Sequence, residues 1–99
     1  MKVKVHSIHF DADSSLLEFI DLKINKLLQF YEDIINAEVF LRLENVEDKD
    51  NKVVEIKLEV RNNPVFAKKM CKTFEEATDL TVEALRKQLN KIKAKQRKP

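Results

Sequence analysis

The 99-residue chain contains no glycine and no tryptophan, and it has one cysteine and two prolines. Without glycine there is no glycine-rich loop to cradle a phosphate, which excludes the common nucleotide-binding motifs. The lone Cys71 cannot form an intramolecular disulfide, so the sequence predicts a reducing, cytoplasmic setting. No apolar run approaches the ~20 residues that a membrane-spanning helix needs. The N-terminus, MKVKVHSIHF, lacks the apolar core and cleavage site of a signal peptide.

Patterns that would indicate catalysis or metal binding are also scarce. His6 and His9 are three apart in a predicted strand, so they are expected on opposite faces and do not predict a shared metal ion. Nothing near Cys71 in sequence would activate its thiol. Asp79 and Glu83 share a helix face, which without a third ligand indicates a surface charge pair. We therefore expect a non-enzymatic protein with no catalytic residue, metal, cofactor or small-molecule substrate.

Charged residues are abundant, at 36% of the chain, and they are unevenly placed. Seven of the 19 Lys and Arg residues, and none of the 17 acidic residues, fall between positions 86 and 98. The rest of the chain is left with twelve basic residues against seventeen acidic ones. A local run of positive charge in a nearly neutral chain indicates an anionic partner.

Alternating apolar residues predict strands over residues 2–9, 37–44 and 54–61. The inward-facing residues of the second and third strands are expected to be Ala37, Val39, Leu41, Leu43, Val54, Ile56, Leu58 and Val60. The polar segment 45–51 joins these two strands as a hairpin and makes them antiparallel. A fourth strand over 65–72 is less clear, because its inward-facing side chains are either Val65, Ala67 and Cys71 or Phe66 and Met70.

Two further segments have helical periodicity. The first runs from its expected N-cap, Asp13, to about Tyr31, and Ser15 with Glu18 forms a second capping candidate. Its buried stripe is expected to comprise Leu16, Ile20, Ile24, Leu27 and Tyr31, widened by Leu17 and Leu28. The second begins at a capping box of Thr73 and Glu76 and continues through the basic run. Its core face is expected to comprise Phe74, Thr78, Thr81, Leu85, Leu89 and Ile92.

These elements predict an α+β fold of order β-α-β-β-β-α, similar to a double-stranded-RNA-binding domain. Both amphipathic helices need an apolar surface, so we expect them on one face of a four-stranded sheet. One shoulder of the first helix interleaves aromatic and basic residues: Phe19, Lys23, Lys26 and Phe30. We expect the phenylalanines to pack in the core, whereas the lysines are either phosphate contacts or merely solvated.

Two uses of the basic helix remain open at this point. In one, its cations and the lysines of the first helix line a ridge and groove that holds an RNA backbone. In the other, the domain is a protein-interaction module with a solvated helix end, since cations near a helix C-terminus are favoured by the helix dipole. The dipole accounts for about two or three cations, so seven favour a polyanion. An interfacial membrane helix is disfavoured, because the apolar face lacks Trp and has one aromatic residue, Phe74.

Two motifs carry a resemblance to a known family. The first is Phe19-Ile20 followed by Lys23-Ile24-Asn25-Lys26-Leu27. The second is Asp79 followed by Leu85-Arg86-Lys87-Gln88-Leu89-Asn90-Lys91-Ile92-Lys93, with Lys87 where Arg is usual. With the element order, they resemble the short form of the bacterial ribosome hibernation-promoting factor family, also called ribosome-associated inhibitor or protein Y. One departure is Thr73-Phe74-Glu75, where the family has Asp-x-Tyr, so any contact by that Tyr is lost or replaced.

The resemblance implies that residues 1–99 form one domain that binds the 30S ribosomal subunit against 16S rRNA, with no membrane partner. It would occupy the channel of mRNA and the tRNA anticodon ends, block translation and favour hibernation in stationary phase. It also implies that no C-terminal dimerisation extension is present, so ribosome pairing by that route is not expected. The RNA-contact candidates, indicated by both the resemblance and the helical wheel, are Lys23, Lys26, Arg86, Lys87, Lys91, Lys93 and Lys95.

Overall fold

The structure is a computed structural model, and it describes residues 2–8, 10–44, 51–61 and 64–96. Its elements in chain order are β1 (Lys2–Ile8), α1 (Ser14–Phe30), β2 (Ile34–Leu43), β3 (Lys52–Val60), β4 (Val65–Cys71) and α2 (Phe74–Gln96). This order, β-α-β-β-β-α, confirms the predicted fold class. His9, which is predicted to lie on the opposite face of the first strand from His6, is outside the described residues. Nearly all of the predicted hairpin tip is also outside them.

The four strands form one sheet in the order β1-β2-β3-β4. β1 runs parallel to β2, with Val5 opposite Val39, and α1 forms the crossover that a parallel pair requires. The β2–β3 and β3–β4 pairs are antiparallel. The sheet is therefore mixed, with β1 and β4 at its edges.

Both helices cover the same face of this sheet, as the sequence predicts. Buried side chains from α1, α2 and one face of β2, β3 and β4 form a single core cluster. Ile24 of α1, Ile56 of β3 and Leu85 of α2 are fully enclosed, each 0% exposed. Burying an aliphatic side chain of this size stabilises the fold by roughly 1.5–3 kcal/mol. The opposite face of the sheet, which we call the open face, is covered by neither helix.

Side chains at the helix starts satisfy backbone groups as predicted, with one difference. The Asp13 carboxylate accepts a hydrogen bond from the Leu16 N–H at 2.8 Å, so Asp13 is the N-cap of α1 and Ser15 lies inside the helix. At α2, the Thr73 hydroxyl accepts a hydrogen bond from the Glu76 N–H at 3.1 Å. This contact is one half of the predicted capping box.

The structure also decides which side chains of β4 face the core. Ala67 and Cys71 are buried, whereas Phe66 and Met70 are 59% and 46% exposed on the open face. Because α2 packs directly over β4, small side chains fit beneath the helix and the larger ones lie on the other side of the strand.

Six burial predictions need correction, and two of them, Phe74 and Ile92 of the predicted α2 core face, are half-buried and pack at the edge of the core. Leu43, expected in the core, is 48% exposed because it ends β2, beyond the cover of the helices. Leu17, expected to widen the buried stripe of α1, is 38% exposed. Phe19 and Phe30 are half-buried rather than buried. Phe30 packs at the edge of the core, where α1 meets α2, and this position leaves its ring accessible to side chains of α2.

The core position of Leu85 gives a testable prediction. Leu85→Ala removes a fully buried side chain and should lower the free energy of unfolding by about 2–5 kcal/mol. Leu80→Ala on the same helix, where the side chain is 47% exposed, should change it by less than about 0.5 kcal/mol. Urea titrations followed by circular dichroism compare the two. Equal losses would contradict the described orientation of α2.

Candidate nucleic-acid interface

The two helices lie side by side and run in the same direction. Lys23 of α1 contacts Asp79 of α2. Seven residues further along α1, Phe30 contacts Arg86 and Lys93, which are seven and fourteen residues beyond Asp79. The shoulder of α1 that interleaves lysine and phenylalanine therefore faces α2. This pairing places cations from both helices on one surface.

Four of the predicted RNA-contact residues are exposed on these two helices. They are Lys26 of α1 and Arg86, Lys87 and Lys91 of α2. None of the four lies within 4.0 Å of a carboxylate in the described part of the chain, so no acid there neutralises them. The Arg86 guanidinium carbon lies 5.7 Å from the centroid of the Phe30 ring, and this contact holds the arginine at the junction of the helices. We call these four residues the helix-face cations.

Lys93 has a different environment from the helix-face cations. Its side chain is half-buried, and its Nζ donates a hydrogen bond to the Phe30 carbonyl oxygen at 3.2 Å. Phe30 is the last residue of α1, so this oxygen is one of the carbonyls that a helix end leaves without an intrahelical partner. The same ammonium lies 4.6 Å from the centroid of the Phe30 ring and 5.8 Å from that of Tyr31. Lys93 therefore joins the end of α1 to α2.

Lys23 also makes an intramolecular contact. Its Nζ lies 3.0 Å from Oδ1 of Asp79 and 5.4 Å from the centroid of the Phe19 ring. The lysine side chain is 32% exposed and the aspartate side chain 51%, so the ion pair is partly screened by water. Asp79, predicted to be a surface charge, is thus an acidic residue within the basic surface. It neutralises one of the seven predicted contact residues.

The seventh residue, Lys95, belongs to the last turn of α2 by its backbone, and its side chain lies outside the described part of the chain. Of the seven predicted residues, the structure thus brings six together on one pair of helices. It assigns two of them, Lys23 and Lys93, to contacts within the protein.

The partners of Lys23 and Lys93 were missed by sequence reasoning. One signal was present for Lys93: the last turn of α1 contains no basic residue, so its terminal carbonyls lack a cation from their own helix. A cation from elsewhere in the fold is then favoured there. No comparable signal identifies Asp79 as the partner of Lys23, because their contact depends on how the two helices align.

Other site types have little support. No group of three or more His, Cys, Asp and Glu side chains is placed to hold a metal ion within the described ranges. Within the same ranges, no helix is long and apolar enough to cross a membrane. The chemistry of the helix surface is that of fixed positive charges beside a half-exposed aromatic ring, which suits phosphate contact.

Comparison with known proteins identifies the fold and the family. The family model described as Sigma 54 modulation protein / S30EA ribosomal protein matches residues 3–97. The comparison with curated proteins finds no match.

Two solved structures share the fold closely. A ribosomal subunit interface protein from Coxiella burnetii is 20% identical, with a TM-score of 0.84 over 95% of this chain and 99% of that one. The N-terminal domain of Thermus thermophilus Protein Y is 17% identical, with a TM-score of 0.79 over 93% and 99%. At these identities the likeness concerns the fold and does not extend to individual side chains.

The contacts of Lys93 predict a structural role. Lys93→Met keeps the aliphatic length but removes the donor to the Phe30 carbonyl, so it should lower the free energy of unfolding by about 1 kcal/mol. Lys91→Met, at an exposed position of the same helix, should change it by less than about 0.5 kcal/mol. Chemical denaturation of both variants measures the difference. If the two variants lose equal stability, the Lys93 contacts do not stabilise the fold.

Proposed function

The chain belongs to the Sigma 54 modulation protein / S30EA ribosomal protein family, and from this membership we propose that it inhibits translation by binding the small ribosomal subunit. Association with the ribosome follows from the family. The finer proposal is that residues 1–99 act as one domain that occupies the channel of mRNA and tRNA against 16S rRNA. Such a role belongs to hibernating ribosomes in the cytoplasm of stationary-phase cells.

One structural observation supports the RNA partner most directly. The parallel pairing of α1 and α2 brings four exposed cations onto two adjacent helices, from segments about sixty residues apart in the chain, and none of the four lies within 4.0 Å of a described carboxylate. If the cations of α2 served only to solvate the end of one helix, a further cation on the second helix, Lys26, would have no role. Phosphates of a folded RNA are the chemistry that such a surface fits, because they are closely spaced and fully charged.

The mechanism that we propose is steric. The helix-face cations contact phosphates, which supplies affinity and fixes orientation but reads no sequence. Lys93 joins the end of α1 to α2, so the relative positions of the two helix backbones that carry the cations are set before binding. Specificity then comes from the shape of the channel. No bond is made or broken, so the proposed activity is not enzymatic.

Co-sedimentation with ribosomes tests this proposal. Four phosphate contacts give a salt slope of roughly −3 to −4, so a roughly fourfold rise in salt should lower the affinity about a hundredfold. Lys87→Glu with Lys91→Glu removes two contacts and adds two repulsions, and this variant should fail to sediment with ribosomes at a salt concentration at which the wild type does. Both residues are exposed, so the variant should remain folded.

A matched control carries the same charge change elsewhere. Lys69→Glu with Lys72→Glu alters two exposed lysines near the start of α2, at the opposite end of that helix from Lys91. This control should sediment like the wild type. Equal retention of both variants would favour the protein-interaction module, and no association of the wild type with ribosomes would contradict the proposal.

The Lys23–Asp79 ion pair predicts a gain of affinity. Asp79→Asn removes the acidic residue from the basic surface and frees Lys23, so binding to ribosomes should tighten about two- to fivefold at low salt. Glu83→Gln removes one negative charge from the same helix one turn later, at an exposed position. If Glu83→Gln tightens binding equally in the same assay, net charge rather than the freed Lys23 explains the effect.

A further inference from the structure

The open face of the sheet carries a groove that the helix surface does not account for. Strand register places Lys4, Glu38, Lys57 and Phe66 in one row across the four strands. A groove of about 900 Å³ runs along this row, and Asn36 and Glu59 also line it. We call it the open-face groove. Its volume lies in the range of about 300–1,000 Å³ that is typical of ligand sites.

Phe66 forms an aromatic wall of the groove. Its side chain is 59% exposed, although phenylalanine is among the residues most often buried in proteins. The backbone beneath it is fixed, because the Gln88 side-chain amide of α2 donates a hydrogen bond to the Phe66 carbonyl at 3.0 Å. The ring is thus presented to solvent from a constrained position at the edge of the sheet.

The acidic residues of the open face have partners within the protein. Glu38 lies 3.1 Å from the His6 ring nitrogen, and Glu59 accepts a hydrogen bond from the Asn36 side chain at 2.6 Å. Glu55 accepts a hydrogen bond from Arg42 at 3.2 Å. Hydrogen bonds to Glu55, and then to Glu44, raise the pKa of the Arg42 guanidinium, which stays charged and keeps these carboxylates engaged.

The lysines of the same face have no carboxylate partner in the described part of the chain. Lys4, Lys57 and Lys68 are exposed, and none of them lies within 4.0 Å of a carboxylate among the residues that the structure describes. The Lys57 ammonium instead lies 5.2 Å from the centroid of the Phe40 ring, against which the His6 ring stacks at 4.9 Å. The groove therefore combines two lysines that have no carboxylate partner within the described ranges, two carboxylates that are held by polar side chains, and an exposed aromatic face.

We propose that the open-face groove binds single-stranded RNA, with a base stacked on Phe66 and the adjoining phosphates on Lys57 and Lys4. A base presents a flat π face and carries a charged phosphate at a fixed distance, which matches a ring beside two lysines. A polypeptide of either charge fits less well, because an acidic one leaves the aromatic wall unused and a basic one meets the lysines. The proposal extends the proposed function, since a domain enclosed in an RNA-walled channel would meet RNA on both faces.

Titration of the intact protein with oligouridine tests the site. The helix-face variant Lys87→Glu with Lys91→Glu serves as the background, so that binding by α2 is removed and the two proposals can fail separately. A fluorescent oligouridine of roughly eight nucleotides is the probe, followed by anisotropy, and amide NMR spectra of the labelled protein locate the contact. In this background Phe66→Leu removes the ring, and Met70→Leu alters another exposed residue of the same strand and face.

We expect oligouridine to shift the amide signals of Lys4, Lys57 and Phe66 in the background protein. Phe66→Leu should weaken binding about tenfold through loss of stacking, and Met70→Leu should leave it unchanged. Three results would overturn the proposal: no binding of the probe, amide shifts confined to the helices, or equal effects of Phe66→Leu and Met70→Leu. If the groove binds a polypeptide instead of RNA, the oligouridine probe will not bind.

Discussion

The sheet has one apolar face, and two helices must share it. This constraint arranges the rest of the molecule. Strand alternation in β2 and β3 directs Val39, Ile56 and Leu58 to the same side, and both amphipathic helices bury their stripes against them. Both helices lie on one face of the sheet, and each begins at the same end of the sheet. They therefore run parallel, and their flanks are in contact along their length. The meeting of the helices adds Lys26 of α1 to the three helix-face cations of α2.

Bringing cations from two helices together creates repulsion, and the structure relieves it with nearby acceptors. Asp79 receives Lys23 through an ion pair, and the terminal carbonyl and ring of Phe30 receive Lys93. Both lysines cover apolar surface with their aliphatic stems and keep the ammonium at a polar contact. Basic side chains at neighbouring positions therefore have two different roles. The half-buried Lys23 and Lys93 contact groups within the protein, and the exposed helix-face cations are left for a partner.

The sequence allowed most of the fold to be predicted, because each element has its own local signal. Alternation identified β2 and β3, and Asp13 and Thr73 identified the helix starts. The buried face of β4 was ambiguous because both of its alternating sets contain apolar residues. The packing of α2 over the strand determines that Ala67, rather than Phe66, faces the core. The helical wheel named seven RNA-contact candidates, and their contact with RNA stays a prediction. It could not show that the end of α1 would hold Lys93, since a wheel shows direction around one axis and carries no information about a second helix.

Parallel packing also aligns the two helix dipoles. Both partially positive N-termini lie at one end of the domain, beside Asp13, Glu75 and Glu76, and both partially negative C-termini lie at the other, where the basic residues cluster. In the second half of α2 the basic side chains thus outweigh the partial negative charge of that helix's C-terminus. In the field of a polyanion the domain turns before it collides, with the basic half of α2 first. Encounters would then begin in a productive orientation, and their rate would fall as salt shortens the reach of that field.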